Sequence, residues 1–317
     1  MEARDLFART LRPAADLFYG RGDAEDVRMG EKIHSDPADY PSAQVVLLGC
    51  PQDEGVRRNR GRVGAAQAPA EIRRCLYRLG CAGLDGMKIF DLGDTAIQGT
   101  LDDTHALHWE VVSRMLADSK RLVIMGGGND ISYPDCGALA QAAAKPLAFN
   151  VDAHLDVRAD AARNSGTPYR QLLDEGLLSP RRFFEIGAQK FAISESHAAY
   201  LHKLGVRVVA LEEARARGVD PVVREILRES DADAIFWGFD LDAVRSSDAP
   251  GVSAPSPLGF SAEELCALAA LAGSEARTRV LEFTEVNPVY DVDHRTCRLA
   301  AVAIWSALAS MAGGGSR

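Results

Sequence analysis

Short apolar runs alternate with segments of helical period along almost the whole chain. The runs Gln44–Gly49, Lys88–Leu92, Arg121–Met125, Leu147–Val151, Arg182–Gly187, Arg207–Leu211, Ala234–Phe239 and Arg279–Phe283 are each predicted to be a strand. Between them, Ala70–Leu79, His105–Ser119, Tyr133–Ala144, Ser194–Leu204, Pro221–Ser230 and Ala262–Leu271 repeat apolar residues at helical spacing, and Cys297–Met311 reads as a closing helix. Apolar strands joined by helical crossovers imply a parallel sheet covered on both faces. The expected fold class is therefore α/β, a three-layer α/β/α arrangement with a central, mostly parallel eight-stranded sheet. No linker or repeat divides the chain. One domain over 1–317 is expected, with 1–40 a polar extension packed on the body and 313–317 a disordered tail.

Polar motifs follow four of these strands. Gly126-Gly-Gly-Asn129-Asp130 follows the third, Asp152-Ala-His154-Leu-Asp156 the fourth, Asp240-Leu-Asp242 the seventh and Glu285-Val-Asn-Pro288 the eighth. In open α/β sheets ligands bind beyond the carboxyl ends of the strands, so the agreement of pattern and polarity places a site at that edge. In extended chain, residues two apart point the same way. Asp152, His154 and Asp156 can thus converge, and Asp240 with Asp242 repeats the geometry.

Composition narrows the partners. A chain of 317 residues with 47% apolar content can bury a sizeable core. Its formal charge of −9 argues against a nucleic-acid or anionic-membrane partner. The six cysteines form no C-x-x-C pair, which fits a reducing compartment. The N-terminus MEARDLFARTLRPAAD is too charged for a signal-peptide core, and no apolar run reaches membrane-spanning length. A soluble, cytoplasmic protein is expected.

Carboxylates around one imidazole suit a hard or borderline divalent ion, with manganese ahead of iron, cobalt or zinc. No cysteine lies in the motifs, which disfavours thiolate zinc. The glycine run lacks the Gly-Lys-Ser/Thr of a phosphate loop, so its glycines are read as a tight turn under the site. Asn129 is either a helix cap or a ligand through its amide oxygen.

The order GGGND, NVDAHLD, SGTP, FDLD, EVNP resembles the ureohydrolase superfamily of arginase, agmatinase and formiminoglutamase, over nearly the whole chain. The run Asp53-Glu-Gly-Val-Arg57-Arg58-Asn59-Arg-Gly61-Arg62-Val-Gly64, with Arg158 and Ser165-Gly-Thr-Pro168, resembles the formiminoglutamase branch. The resemblance implies two Mn2+ per subunit. Asn129 stands where the family usually has a histidine ligand to the first ion, with Asp156 on the same ion. His154 and Asp242 would hold the second, and Asp152 and Asp240 would bridge. It further implies attack by a bridging hydroxide on an amidine carbon, Glu285 receiving the N–C–N group and Asp156 giving a proton to the leaving amine. Tyr169 occupies the loop where arginases place a shuttle histidine; a phenol titrates near 10, and arginase activity is disfavoured.

The implied reaction is cleavage of N-formimino-L-glutamate to L-glutamate and formamide, a step of histidine degradation. Its small substrate carries two carboxylates, for which Arg158, Arg57, Arg58 and Arg62 are candidates, with Ser165 nearby. For Arg57, Arg58 and Arg62 an internal ion pair is an equal alternative. His105, His108, His197, His202 and His294 fall in no metal spacing and are read as structural or surface residues, and Trp109, Trp237 and Trp305 as core. Two other functions remain open: a urea-releasing relative such as an agmatinase or guanidino-acid hydrolase, and a metal-poor, non-catalytic relative. The superfamily commonly forms trimers or hexamers, so a homo-oligomer is expected.

Overall fold

Nine strands form one sheet in the computed structural model, which describes residues 3–313. They are β1 (Thr10–Leu11), β2 (Val45–Gly49), β3 (Ile89–Thr95), β4 (Arg121–Met125), β5 (Pro146–Val151), β6 (Phe183–Ala188), β7 (Arg207–Ala210), β8 (Ala234–Asp240) and β9 (Thr278–Thr284). The sheet order is β1-β3-β2-β4-β9-β8-β5-β6-β7, and every pairing except β1 with β3 is parallel.

Successive side chains of a strand face opposite sides, and both sides here are apolar. One face places Leu47, Val123, Phe149, Trp237 and Leu281 against helices Ala68–Leu76, Val219–Glu229, Ala262–Ser274 and Arg295–Gly313. The other places Val46, Leu48, Ile124, Phe236 and Val280 against helices Leu101–Ala117, Ser132–Ala142 and Pro168–Asp174. Three layers result, as the doubly apolar strands predict.

The predicted eight-stranded sheet gains a ninth strand, β1, from the N-terminal extension. Two residues are too short for any periodicity to reveal. Thr10 and Leu11 lie antiparallel to Thr95 and Asp94, so close that a Cβ on Gly93 would sit 1.9 Å from Leu11 O. Leu17, Met29 and Ile33 of the same extension enter the core. β3 outruns its predicted end because its acids are internally paired. Buried Arg73 donates to both oxygens of Asp91, at 2.9 and 3.0 Å, and to Asp94 at 2.6 Å.

Helix Leu101–Ala117 starts earlier than its apolar spacing predicts, because the Thr100 side chain accepts from Asp103 N. Of the tryptophans, Trp237 is fully buried, while Trp109 and Trp305 are half-buried and donate to Gln141 and Gly80 O. Helix Arg295–Gly313 is long and apolar enough to cross a membrane by length and composition, contrary to the reading that no run reaches that length. In the fold its apolar face packs against Ala68–Leu76 and Ala262–Ser274 as a core helix. Of the expected tail, 314–317 lie outside the described residues, and Gly313 ends this helix.

Candidate active site

Strands β4, β9, β8 and β5 are consecutive neighbours at the centre of the sheet. Their register aligns Met125 with Phe283, Phe283 with Phe239, and Phe239 with Val151. The four polar motifs therefore leave the sheet side by side. Asp152 and Asp240 make the same local turn, each accepting through Oδ1 the backbone N–H two residues on, from His154 at 2.7 Å and Asp242 at 2.9 Å. That turn lets D-x-H and D-x-D aim both members of each pair at one point.

Two triads converge there. Asp152, His154 and Asp242 bring one ligand atom each within 4.8 Å of one another, and so do Asp152, Asp156 and Asp240. His154 Nδ1 lies 3.3 Å from Asp152 Oδ1 and 3.2 Å from Asp242 Oδ2. Four carboxylates, three of them buried and Asp156 half-buried, thus face a single imidazole. Asp242 beside it, opposed by burial, pushes the His154 pKa far up. Burial, together with the neighbouring acids, drives the Asp156, Asp240 and Asp242 carboxyls up. Asp152 alone is pulled down, by His154 and by Asn150 against the effect of burial. The cluster is short of positive charge.

Asp156 and Glu285 both hold left-handed backbone, at φ 43° and 61°, a conformation that non-glycine residues adopt at some cost and that clusters at functional sites. Glu285 is buried, with Oε1 accepting from Asn129 N at 2.8 Å and Oε2 from Ser253 Oγ. Burial pushes its carboxyl up to about 8, against those two hydrogen bonds. Asn129 directs its amide Nδ2 to Asp156 Oδ2 at 2.6 Å, while Oδ1 accepts from Ser132 and Thr284 at 2.9 and 3.0 Å. The amide nitrogen, not the oxygen, faces the cluster. Behind it the glycine run turns tightly, since a Cβ on Gly127 would lie 1.6 Å from Gln52 O.

A cavity of about 380 Å³ opens over the cluster, lined by His154, Asp156, Asp240, Asp242 and Glu285 and by Arg60, Arg158, Ser165 and His197 among others. A larger cavity of about 690 Å³ lies at the opposite, amino end of the strands, beside Val45 and Arg121, and contains none of these groups.

The structure separates the predicted arginines. Arg57 and Arg58 pair with Glu54, at 2.6 and 2.9 Å through their Nε atoms. Arg62 donates to Val252 O and Ser253 O and stacks over Tyr290 at 4.6 Å. All three are engaged within the protein, the ion-pair alternative for Arg57 and Arg58. Arg158 lines the cavity, and buried Ser165 accepts from Asn59 Nδ2 at 3.0 Å. His105 and His108 are buried beside Asp130 and Asp135, at 2.6 and 2.9 Å, a structural role as expected. His197 instead lines the cavity. Tyr169 is buried and stacked on Phe183, outside the cavity lining. The sequence reading missed Arg60, Ser253 and His197. Arg60 stood inside the Asp53–Gly64 run, but only its backbone geometry sets it apart; Ser253 and His197 sit in no motif.

A core sheet whose central strand ends carry two metal-type acid triads defines an arginase-like metallohydrolase class. The Arginase family profile matches residues 43–310, and the chain belongs to the arginase family. Formimidoylglutamase of Ralstonia nicotianae is 32% identical over 301 residues, covering 90% of this chain and 92% of its own. That of Paraburkholderia xenovorans is 33% identical over 314 residues, covering 90% and 95%. The crystal structure of Trypanosoma cruzi formiminoglutamase with Mn2+ superposes at a TM-score of 0.86 and 32% identity, covering 90% of this chain and 99% of that one. Bacillus subtilis arginase superposes at 0.74 with 23% identity, covering 84% and 98%, a likeness of fold alone.

The residues fit divalent ions. All the cluster's acids are oxygen donors, one imidazole is added, and Asp242 Oδ1 is buried with no hydrogen-bond partner. Asp152 belongs to both triads, the arrangement of a shared ligand.

Proposed function

We propose that this chain hydrolyses N-formimino-L-glutamate to L-glutamate and formamide, using two Mn2+ held by Asp152, His154 and Asp242 and by Asp152, Asp156 and Asp240. Asn129 stands beside the second of these sites and positions it through the hydrogen bond from its amide nitrogen to Asp156 Oδ2. The observation that carries the reading is one cavity joining the two triads to Glu285 and to an arginine, Arg158. The relatives named formimidoylglutamase support the substrate.

When bound, the ions supply a nucleophile by acidifying water at neutral pH. The protein's own residues do the rest. Glu285 accepts N–H groups of the amidine through paired carboxylate oxygens, an arrangement that fixes the reacting carbon. Ser253 and the backbone N–H of Asn129 hold that carboxylate still. Water adds to the formimino carbon, and the bond from that carbon to the glutamate nitrogen breaks. Asp156 takes up the proton released as water adds and passes it to the leaving amine. Arg158, two residues beyond Asp156, takes a substrate carboxylate, and Ser165 completes that wall. Arg57, Arg58 and Arg62 order the loop rather than touch substrate.

Manganese-loaded protein offered N-formimino-L-glutamate, agmatine and a set of guanidino acids tests this reading. Formamide from the first and no urea from the rest is expected; urea from a guanidine with no formamide rejects it.

A further inference from the structure

Three arginines of the segment after β2 have partners, and one does not. Among the described residues, neither Arg60 nor Arg158 has a side-chain hydrogen bond or ion pair. Both are exposed, and both line the cavity over the acid cluster. Each of the cavity's four carboxylates faces a group other than these arginines: Asp156 accepts from Asn129, Asp240 from the Asp242 backbone, Glu285 from Ser253 and Asn129, and Asp242 lies beside His154. Two guanidinium groups that line one cavity, neither paired to an acid, are free to take an anion there.

The backbone marks Arg60 independently. Helix Glu54–Arg58 ends with Gly61 N bonded to Val56 O at 2.9 Å and Arg60 N to Arg57 O at 3.1 Å. That is a Schellman ending, and Arg60 fills its left-handed position at φ 62°, where glycine is the usual residue. An arginine held there against local preference is the kind of strain found where a side chain is needed. Gly166 brings the two segments together, since a Cβ on it would meet Arg158 Nε at 3.0 Å and Asn59 Nδ2 at 3.1 Å.

We propose that Arg60 and Arg158 form a clamp that selects dicarboxylates, with Arg158 on the carboxylate next to the reacting nitrogen and Arg60 on the far one. The proposal rests on the function proposed above and names its specificity-determining residue. Arg158 is assigned the near group because it stands two residues from Asp156. The far carboxylate lies three carbons out along the glutamate side chain, which leaves it to Arg60.

The test compares N-formimino-L-glutamate with N-formimino-L-alanine, which lacks the far carboxylate, on manganese-loaded wild type, Arg60→Gln, Arg60→Lys, Arg60→Gly and Arg158→Gln. Loss of one charged hydrogen-bond pair predicts that Arg60→Gln raises KM for the glutamate substrate about 10- to 100-fold at nearly unchanged kcat. Its kcat/KM for the alanine substrate stays at the wild-type value. Arg60→Lys recovers part of the loss. Arg60→Gly, whose residue suits the left-handed backbone, folds at least as stably and loses as much. Arg158→Gln weakens both substrates. Equal losses on the two substrates in Arg60→Gln, or none, overturn the clamp. Calorimetric binding of L-glutamate against L-alanine gives a readout without turnover. Should the wild type make no formamide, the proposed reaction fails and the clamp is judged by that binding alone: wild type must prefer L-glutamate and Arg60→Gln must not.

Discussion

The side-chain amide of Asn129 donates to Asp156 Oδ2 across 2.6 Å, and the hydroxyls of Ser132 and Thr284 occupy its oxygen. An amide pinned on both sides acts as a clamp on a carboxylate held in left-handed backbone. Asn129→Ala leaves the buried Thr284 hydroxyl and Asp156 short of a partner, while Ser132 keeps Glu282. It is expected to cost about 1–3 kcal/mol of stability, read from urea denaturation, and to lower kcat. Unchanged stability would show that the amide does not hold the site together.

The proposed metal ligands are not equivalent. Asp152 belongs to both triads and His154 to one. Asp152→Ala is expected to abolish manganese uptake, whereas His154→Ala keeps about one ion per chain. Plasma emission spectrometry of dialysed protein at pH 8 gives the counts. Manganese should also raise the melting temperature of the wild type, since a ligand that binds only the folded state stabilises it. Equal stoichiometry in the two variants contradicts the shared role of Asp152.

Glu285 makes the metal-free protein sensitive to pH. Burial raises its carboxyl from 4.5 to about 8, so the folded state favours the protonated form. The stability this contributes is fully present below pH 4.5 and is lost as pH rises through about 8. In EDTA, the melting temperature of the wild type should therefore fall more between pH 5 and pH 8 than that of Glu285→Gln. Parallel pH profiles for the two proteins count against a buried, protonated Glu285.

Arg73 ties helix Ala68–Leu76 to β3. Its guanidinium is buried against Asp91 and Asp94 and also donates to Gly93 O at 2.8 Å. Removing one partner of a buried ion pair leaves the others uncompensated, at about 3–5 kcal/mol. Arg73→Met should lose about that much in urea unfolding, and Asp91→Asn combined with it should lose less than the sum of the two. Strict additivity would mean that the residues do not act as one network.

Eight strands and the acid cluster were legible because each rests on a local, repeated signal. The apolar runs are long, and Asp152-x-His154 and Asp240-x-Asp242 carry their convergence in a two-residue spacing. β1 was hidden because two residues have no period, and β3 ended early on paper because Asp91 and Asp94 look like loop residues until Arg73 is placed beside them. The arginines were ambiguous for a similar reason. Nothing in the run Arg57-Arg58-Asn59-Arg60-Gly61-Arg62 says which guanidinium meets Glu54, which meets backbone carbonyls and which is left facing the cavity. The role of the Asn129 amide depended on Ser132 and Thr284, one on the following helix and the other on the neighbouring strand β9.

The claim that the cluster, Glu285 and the two arginines serve a formimino dicarboxylate is tested most directly by following N-formimino-L-glutamate by carbon-13 NMR with manganese-reconstituted protein. Formamide and L-glutamate should appear together in equal amounts, and neither should appear with Asp152→Ala. Unconsumed substrate in the presence of bound manganese, alongside rapid urea release from a guanidino compound, would contradict it.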